Sequence, residues 1–74
     1  MVKYKKMSIT LIGKKIRNRR KFLKLSQYDL AKLVGVNQST ISCWEAGKTQ
    51  ITATQIILLS NSLSIDTNYF FFRI

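Results

Sequence analysis

The stretch LSQYDLAKLVGVNQSTISCWEAGK, residues 25–48, reads as two short helices joined by a tight turn. Ser26 is placed to cap the first helix, Gln27 to Val34, by accepting a hydrogen bond from a first-turn N–H. Asp29 falls in that turn, where the helix dipole favours an acid. Leu30, Ala31 and Val34 share one face. Gly35 ends the helix by supplying the left-handed backbone that stops one. Asn37 or Gln38 opens the second helix, which reaches about Ala46 with Ile41 and Trp44 pointing inward. Gly47 ends it by the same device.

With Gln27 counted as the first position, Ala31 stands fifth and Gly35 ninth. A small fifth side chain lets the two helices cross closely, and the glycine serves the turn. Leu30, Val34, Val36, Ile41 and Trp44 fill the positions that lock the pair against its neighbours. Two helices of about eight residues with such a turn between them form a helix-turn-helix.

Upstream, Ser8 or Thr10 can cap a helix that runs to about Lys24. Residues 100° apart put Ile12, Ile16 and Leu23 on one face and Lys14, Arg17, Lys21 and Lys24 roughly opposite. Downstream, Thr52 or Thr54 begins a fourth helix through Ile56, Leu59 and Leu63. Asp66 caps a fifth, short helix carrying Tyr69, Phe70, Phe71 and Phe72. The sequence therefore predicts a basic arm over residues 1–7 and one all-α domain over residues 8–74, without linkers or repeats. Seventy-four residues leave room for one modest core.

Charge dominates the composition: 13 Lys and Arg stand against 3 Asp and Glu, a formal +10. Ten of the bases fall within the first 24 residues. Such an excess attracts polyanions but says nothing about fold. Apolar residues make up 46% of the chain, ordinary for a folded domain. No run approaches the ~18 apolar residues of a membrane span, and no signal-peptide pattern follows the basic start. One cysteine and no histidine exclude a structural zinc site and an internal disulfide, so the expectation is a cytoplasmic protein with no metal and no cofactor.

Residues 25–48 resemble the Cro/repressor-type helix-turn-helix family of phage and bacterial regulators. The likeness extends upstream to about Ile9 and, more loosely, downstream to about Phe70. It implies a compact five-helix bundle of the lambda-repressor-like type that binds operator DNA, usually as a two-fold dimer. The family often has a proline near Ile51 or Thr52, and this chain has none, which leaves the start of the fourth helix open. Resemblance also implies that Glu45 pairs with Arg20 on the first helix, and the helical wheel places Arg20 beside the apolar face.

The third helix presents Gln38, Ser39, Ser42 and Cys43 away from Ile41 and Trp44, with Thr40 at the margin. These side chains can enter a major groove. Gln38 can pair with adenine N6 and N7, an interaction worth ~1–3 kcal/mol of base discrimination. By resemblance, Gln38, Ser39 and Cys43 stand where the family reads bases. Cys43 departs from the longer polar or basic residues common there, so that side of the surface rests on apolar contact or is an inert thiol. Resemblance gives Gln27, with Ser26 before it, a phosphate held at the helix N-terminus, where free N–H groups favour an anion. Asn37, Lys48 and Thr49 are further candidate phosphate contacts. The basic stripe and Lys3, Lys5 and Lys6 supply either a solvated surface or long-range steering, and a basic arm of this kind can also follow a groove or the phosphate backbone.

The ending Tyr69-Phe70-Phe71-Phe72-Arg73-Ile74 holds more rings than one short helix can turn inward. Phe70 is the candidate for the core, and Phe71, Phe72 and Ile74 are candidates for a homodimer contact. A dimer would set two reading helices about 34 Å apart on a palindromic site.

An enzyme is disfavoured, because the chain has no paired carboxylates, no histidine and no phosphate-cradling glycine loop. No small-molecule substrate is evident. A basic amphipathic membrane-surface peptide would explain the first helix but leave Ala31, Gly35, Trp44 and Glu45 without a role. An RNA-binding module would want an aromatic stacking platform, and none is visible. Within the favoured class, a phage or plasmid repressor and an antitoxin-type autoregulator both fit the residues.

Overall fold

The computed structural model describes residues 9–71, so the 1–7 arm, Ser8, Phe72, Arg73 and Ile74 lie outside it. Five helices follow in order: α1 (Ile9–Phe22), α2 (Gln27–Val34), α3 (Gln38–Glu45), α4 (Ala53–Ser62) and α5 (Asn68–Phe71). There is no strand among the described residues. α1 packs on α3 and α5, while α2 packs on α3 and α4. The helix-turn-helix pair is thereby held from both sides.

One core joins all five helices. Ile12 and Ile16 of α1 meet Leu30, Ala31 and Val34 of α2, Ile41 and Trp44 of α3, Ile56 and Leu59 of α4, Leu63 just past α4, and Phe70 of α5. Leu23, Leu25, Val36, Ile51 and Ile65 seal its edges from the connecting turns. The spacings of three and four that mark an amphipathic helix are thus the ones that turn inward. Ser60 is buried among them and is satisfied locally, its hydroxyl donating to the Ile56 carbonyl at 2.9 Å.

Reciprocal caps fix two of the helix starts. Ser26 Oγ accepts the Asp29 N–H at 2.9 Å and Asp29 Oδ2 accepts the Ser26 N–H at 3.0 Å. Thr52 does the same with Gln55, at 3.2 and 2.9 Å, so α4 starts from Thr52 rather than Thr54. Asn37 caps α3 by position but makes no side-chain capping bond. Asp66 Oδ1 accepts the Asn68 N–H at 2.9 Å ahead of α5.

The ends of α1, α3 and α4 share one closing motif, in which two N–H groups beyond the helix return to carbonyls of its last turn. In α1 these bonds run from Lys24 to Lys21 and from Leu25 to Arg20, both at 3.0 Å. Lys24 is accordingly not the last residue of α1 but a left-handed residue beyond it, with φ 59°. The helix expected to reach Lys24 stops at Phe22, and Thr10, a candidate cap, lies inside it. The amphipathic pattern gave no sign of that stop because a lysine takes the conformation that a glycine usually supplies. Ser64, at φ 56°, closes α4 in the same way.

Two glycines set how closely α1 approaches α3. A Cβ on Gly13 would run into the Trp44 carbonyl oxygen and would stand 2.8 Å from the Glu45 carbonyl oxygen. A Cβ on Gly47, itself at φ +71°, would lie 2.9 Å from Thr10 Cα. The start of α1 therefore rests directly on the end of α3.

Candidate nucleic-acid interface

α3 is held by its inner face and by its C-terminus. Ile41 and Trp44 are buried, while Gln38, Ser39 and Ser42 are exposed and Thr40 and Cys43 half-buried. Helical spacing makes Gln38 and Ser42 neighbours, and likewise Ser39 and Cys43. The five sequence candidates thus form one continuous outward surface. An α-helix with its side chains is about 10–12 Å across, which the ~12 Å width of a B-DNA major groove admits.

A polar clamp fixes the far end of that surface. Glu45 Oε2 accepts from Arg20 Nε at 2.6 Å, and Oε1 accepts from the terminal Arg20 Nη2 at 3.0 Å. Oε1 also takes the Gln27 side-chain amide at 3.2 Å. Arg20 Nη1 donates to the Leu25 carbonyl at 2.8 Å. One carboxylate therefore ties α1, α2 and α3 together. The hydrogen bond to Glu45 is the main reason the Arg20 guanidinium is pushed above its ordinary pKa.

The Gln27–Glu45 bond was not anticipated from the sequence, which gave Gln27 a phosphate. It brings the first turn of α2 against the last residue of α3. Ser26 and Gln27 therefore lie at the same end of α3 as exposed Lys48 and Thr49, and Asn37 lies exposed at the other. Ser26 Oγ accepts its cap bond and so keeps its own O–H for a further acceptor.

The basic residues of α1 divide into two sets. Lys14, Arg17 and Lys21 are exposed, as the wheel expected. Arg19 instead donates from Nε to the Leu63 carbonyl at 2.9 Å and from Nη2 to the Ser64 carbonyl at 3.3 Å, capping the end of α4. Lys15 Nζ donates to the Tyr69 carbonyl at 2.9 Å and lies 5.6 Å from the Tyr69 ring centroid. Part of the charge that suggested a polyanion is thus structural. Sequence separations of 44 and 54 residues hid these links.

Phe70 is fully buried and meets Tyr69 edge to face at 5.5 Å. Of the candidate dimer residues, Phe72 and Ile74 lie outside the described residues, and Phe71 is the last residue of α5. Among the described residues, no cluster of Cys, Asp or Glu is grouped to hold a metal ion. No helix among them is long and apolar enough to cross a membrane.

Comparison with known families matches residues 16–70 to the helix-turn-helix family, from the middle of α1 into α5. The chain belongs to that family. Among helix-turn-helix proteins it is similar to repressor protein C2 of Salmonella phage P22, with 40% identity over 63 residues that cover 85% of this chain and 29% of the repressor. A crystal structure of the P22 c2 repressor with a synthetic operator superposes with a TM-score of 0.75 at 39% identity, over 80% of this chain and 89% of that one. The restriction-modification controller protein C.AhdI of Aeromonas hydrophila superposes at a TM-score of 0.82 and 28% identity, over 85% and 96%. The same fold covers 36% of hydroxypropylphosphonic acid epoxidase from S. wedmorenis, at a TM-score of 0.81 and 25% identity over 90% of this chain. The chain spans 29%, 56% and 45% of three curated relatives, all of them transcriptional regulators or repressors.

Proposed function

We propose that this helix-turn-helix chain is a sequence-specific, double-stranded DNA-binding transcriptional regulator that represses by occupying an operator. The observation that carries the reading is α3: a helix locked by Ile41, Trp44 and the Arg20–Glu45–Gln27 clamp, with uncharged polar and small side chains outward. Rigid presentation matters because base contacts discriminate only when the donor and acceptor pattern is held in register. The operator complex of the P22 c2 repressor, matched over most of this chain, supports the same use of the fold.

In this reading α3 lies in the major groove, with Gln38, Ser39, Thr40, Ser42 and Cys43 toward base edges. Asn37 grips phosphate at one end of the helix, and Ser26, Gln27, Lys48 and Thr49 grip it at the other. Gln27 uses one amide hydrogen on Glu45 and keeps the second for phosphate. Lys14, Arg17 and Lys21 add attraction that carries no sequence information. Two copies meet through the C-terminal segment holding Phe71, Phe72 and Ile74, and the protein acts in the cytoplasm, where its DNA is.

Selection of bound duplexes from a random pool tests this. Enrichment of a palindrome with half-sites one helical turn apart is the expected result. Recovery of no motif over background would overturn sequence-specific binding, and a single non-repeated half-site would overturn the dimer.

A further inference from the structure

The bonds of the buried Arg20–Glu45 pair converge on the start of α2. Arg20 grips Leu25 through both of its backbone groups. The Arg20 carbonyl accepts the Leu25 N–H at 3.0 Å, and Arg20 Nη1 donates to the Leu25 carbonyl at 2.8 Å. Glu45 Oε1 accepts the Gln27 side-chain amide at 3.2 Å beside Arg20 Nη2 at 3.0 Å. Ser26, the N-cap of α2, lies between these two tethers. Glu45 is the last residue of α3, so one ion pair ties both sides of the α2 cap to that helix.

A free glutamine side chain samples several rotamers and can turn either end of its amide toward a partner. An ionised carboxylate only accepts hydrogen bonds, so Glu45 fixes the Gln27 amide with its nitrogen inward. The Glu45 side chain is 4% exposed, which leaves little water to compete for that bond. The second N–H is thereby held in place before any DNA arrives. A side chain ordered in advance loses no rotamer freedom on binding, which is worth about two- to tenfold in affinity.

We infer that the Arg20–Glu45 pair is a positioning group for DNA binding, presetting the Gln27 amide and the phosphate grip of α2 in register with α3. This rests on the DNA-binding reading above, in which Gln27 meets a phosphate. Both side chains of the pair are largely inaccessible, so the pair acts through Gln27 rather than on the DNA directly.

The test is a double-mutant cycle on the full chain, with a duplex enriched by the parent from a random pool as ligand. Gln27→Ala is measured in the parent and in an Arg20→Met/Glu45→Leu background, each shown by thermal melt to be folded at the assay temperature. The background keeps the parent's net charge, so long-range attraction to DNA is the same in both arms. Gln27→Ala should weaken binding about three- to tenfold per half-site in the parent and under about twofold in the background. In the DNA-free parent, the Gln27 side-chain amide should exchange with solvent several-fold more slowly than that of exposed Gln50. Equal exchange at the two would overturn the inference without any variant. An equal cost of Gln27→Ala in both arms would overturn it by making the pair structural only. A larger cost in the background would overturn it by showing that Glu45 withholds the amide from DNA. No cost in the parent would remove Gln27 from the phosphate contacts, and this inference with it, while leaving DNA binding intact. No enriched duplex at all would overturn DNA reading itself.

Discussion

Replacing Glu45 by alanine removes the acceptor for three donors at once. The Glu45 side chain is 4% exposed and that of Arg20 10%, so water cannot readily take over. The guanidinium stays charged, since arginine is not deprotonated in proteins. Glu45→Ala therefore leaves a buried cation whose one remaining bond is that to the Leu25 carbonyl. Removing one partner of a buried pair costs ~3–5 kcal/mol, against ~0–1 for a surface pair. Native domains hold roughly 0.05–0.15 kcal/mol per residue, or about 4–11 kcal/mol for 74 residues, so the loss is a large share of the whole. At ~4–8 °C per kcal/mol for a domain this size, the melting temperature should fall by at least about 12 °C. Thermal circular dichroism of parent and variant reads this directly. A companion variant carrying Arg20→Met with Glu45→Leu should recover part of the loss, because it leaves no unpaired charge. A fall below ~8 °C for Glu45→Ala would refute the reasoning, since the pair would then behave as a surface contact.

Three other outcomes follow from the same packing. Gly13→Ala should cost about 1–3 kcal/mol in urea unfolding, because the added Cβ meets the backbone carbonyls of Trp44 and Glu45 rather than a side chain that can swing away. Ser64→Gly should raise stability by about 0.5–1 kcal/mol in the same assay, relieving a left-handed serine at the closing position of α4 after the entropic cost of glycine. Asp29 is held below its ordinary pKa of 3.8, chiefly by accepting the Ser26 N–H. Because the folded value is the lower one, its contribution is complete above the unfolded value and is lost as pH falls through the folded one. The stability gap between parent and Asp29→Asn should stay constant above about pH 5 and close below 3.8.

The helix-turn-helix pair was legible because its signals are local. Ser26, Asp29, Gly35 and Gly47 each state a helix end within a few residues of it, and Leu30, Ala31, Val34, Ile41 and Trp44 repeat at helical spacing. The end of α1 was not, because Lys24 takes a left-handed conformation for which lysine gives no sign. Gly13 sits inside a continuous helical pattern, where only the crossing of α3 shows why a side chain is excluded. The reach of Lys15 and Arg19 to the carbonyls of Tyr69, Leu63 and Ser64 depends on the tertiary fold and leaves no local trace. Gln27 shows the limit at the site itself. Its position at the start of α2 fits a phosphate, but its bond to Glu45 is decided by how α2 and α3 cross.

The central claim is that α3, rather than the more highly charged α1, faces the bases. Amide chemical-shift mapping during titration with an enriched duplex separates the two. The largest shifts should fall on Gln38 to Cys43, with further shifts at Gln27, Asn37 and Lys48. Shifts concentrated at Lys14, Arg17 and Lys21, with α3 unmoved, would contradict it.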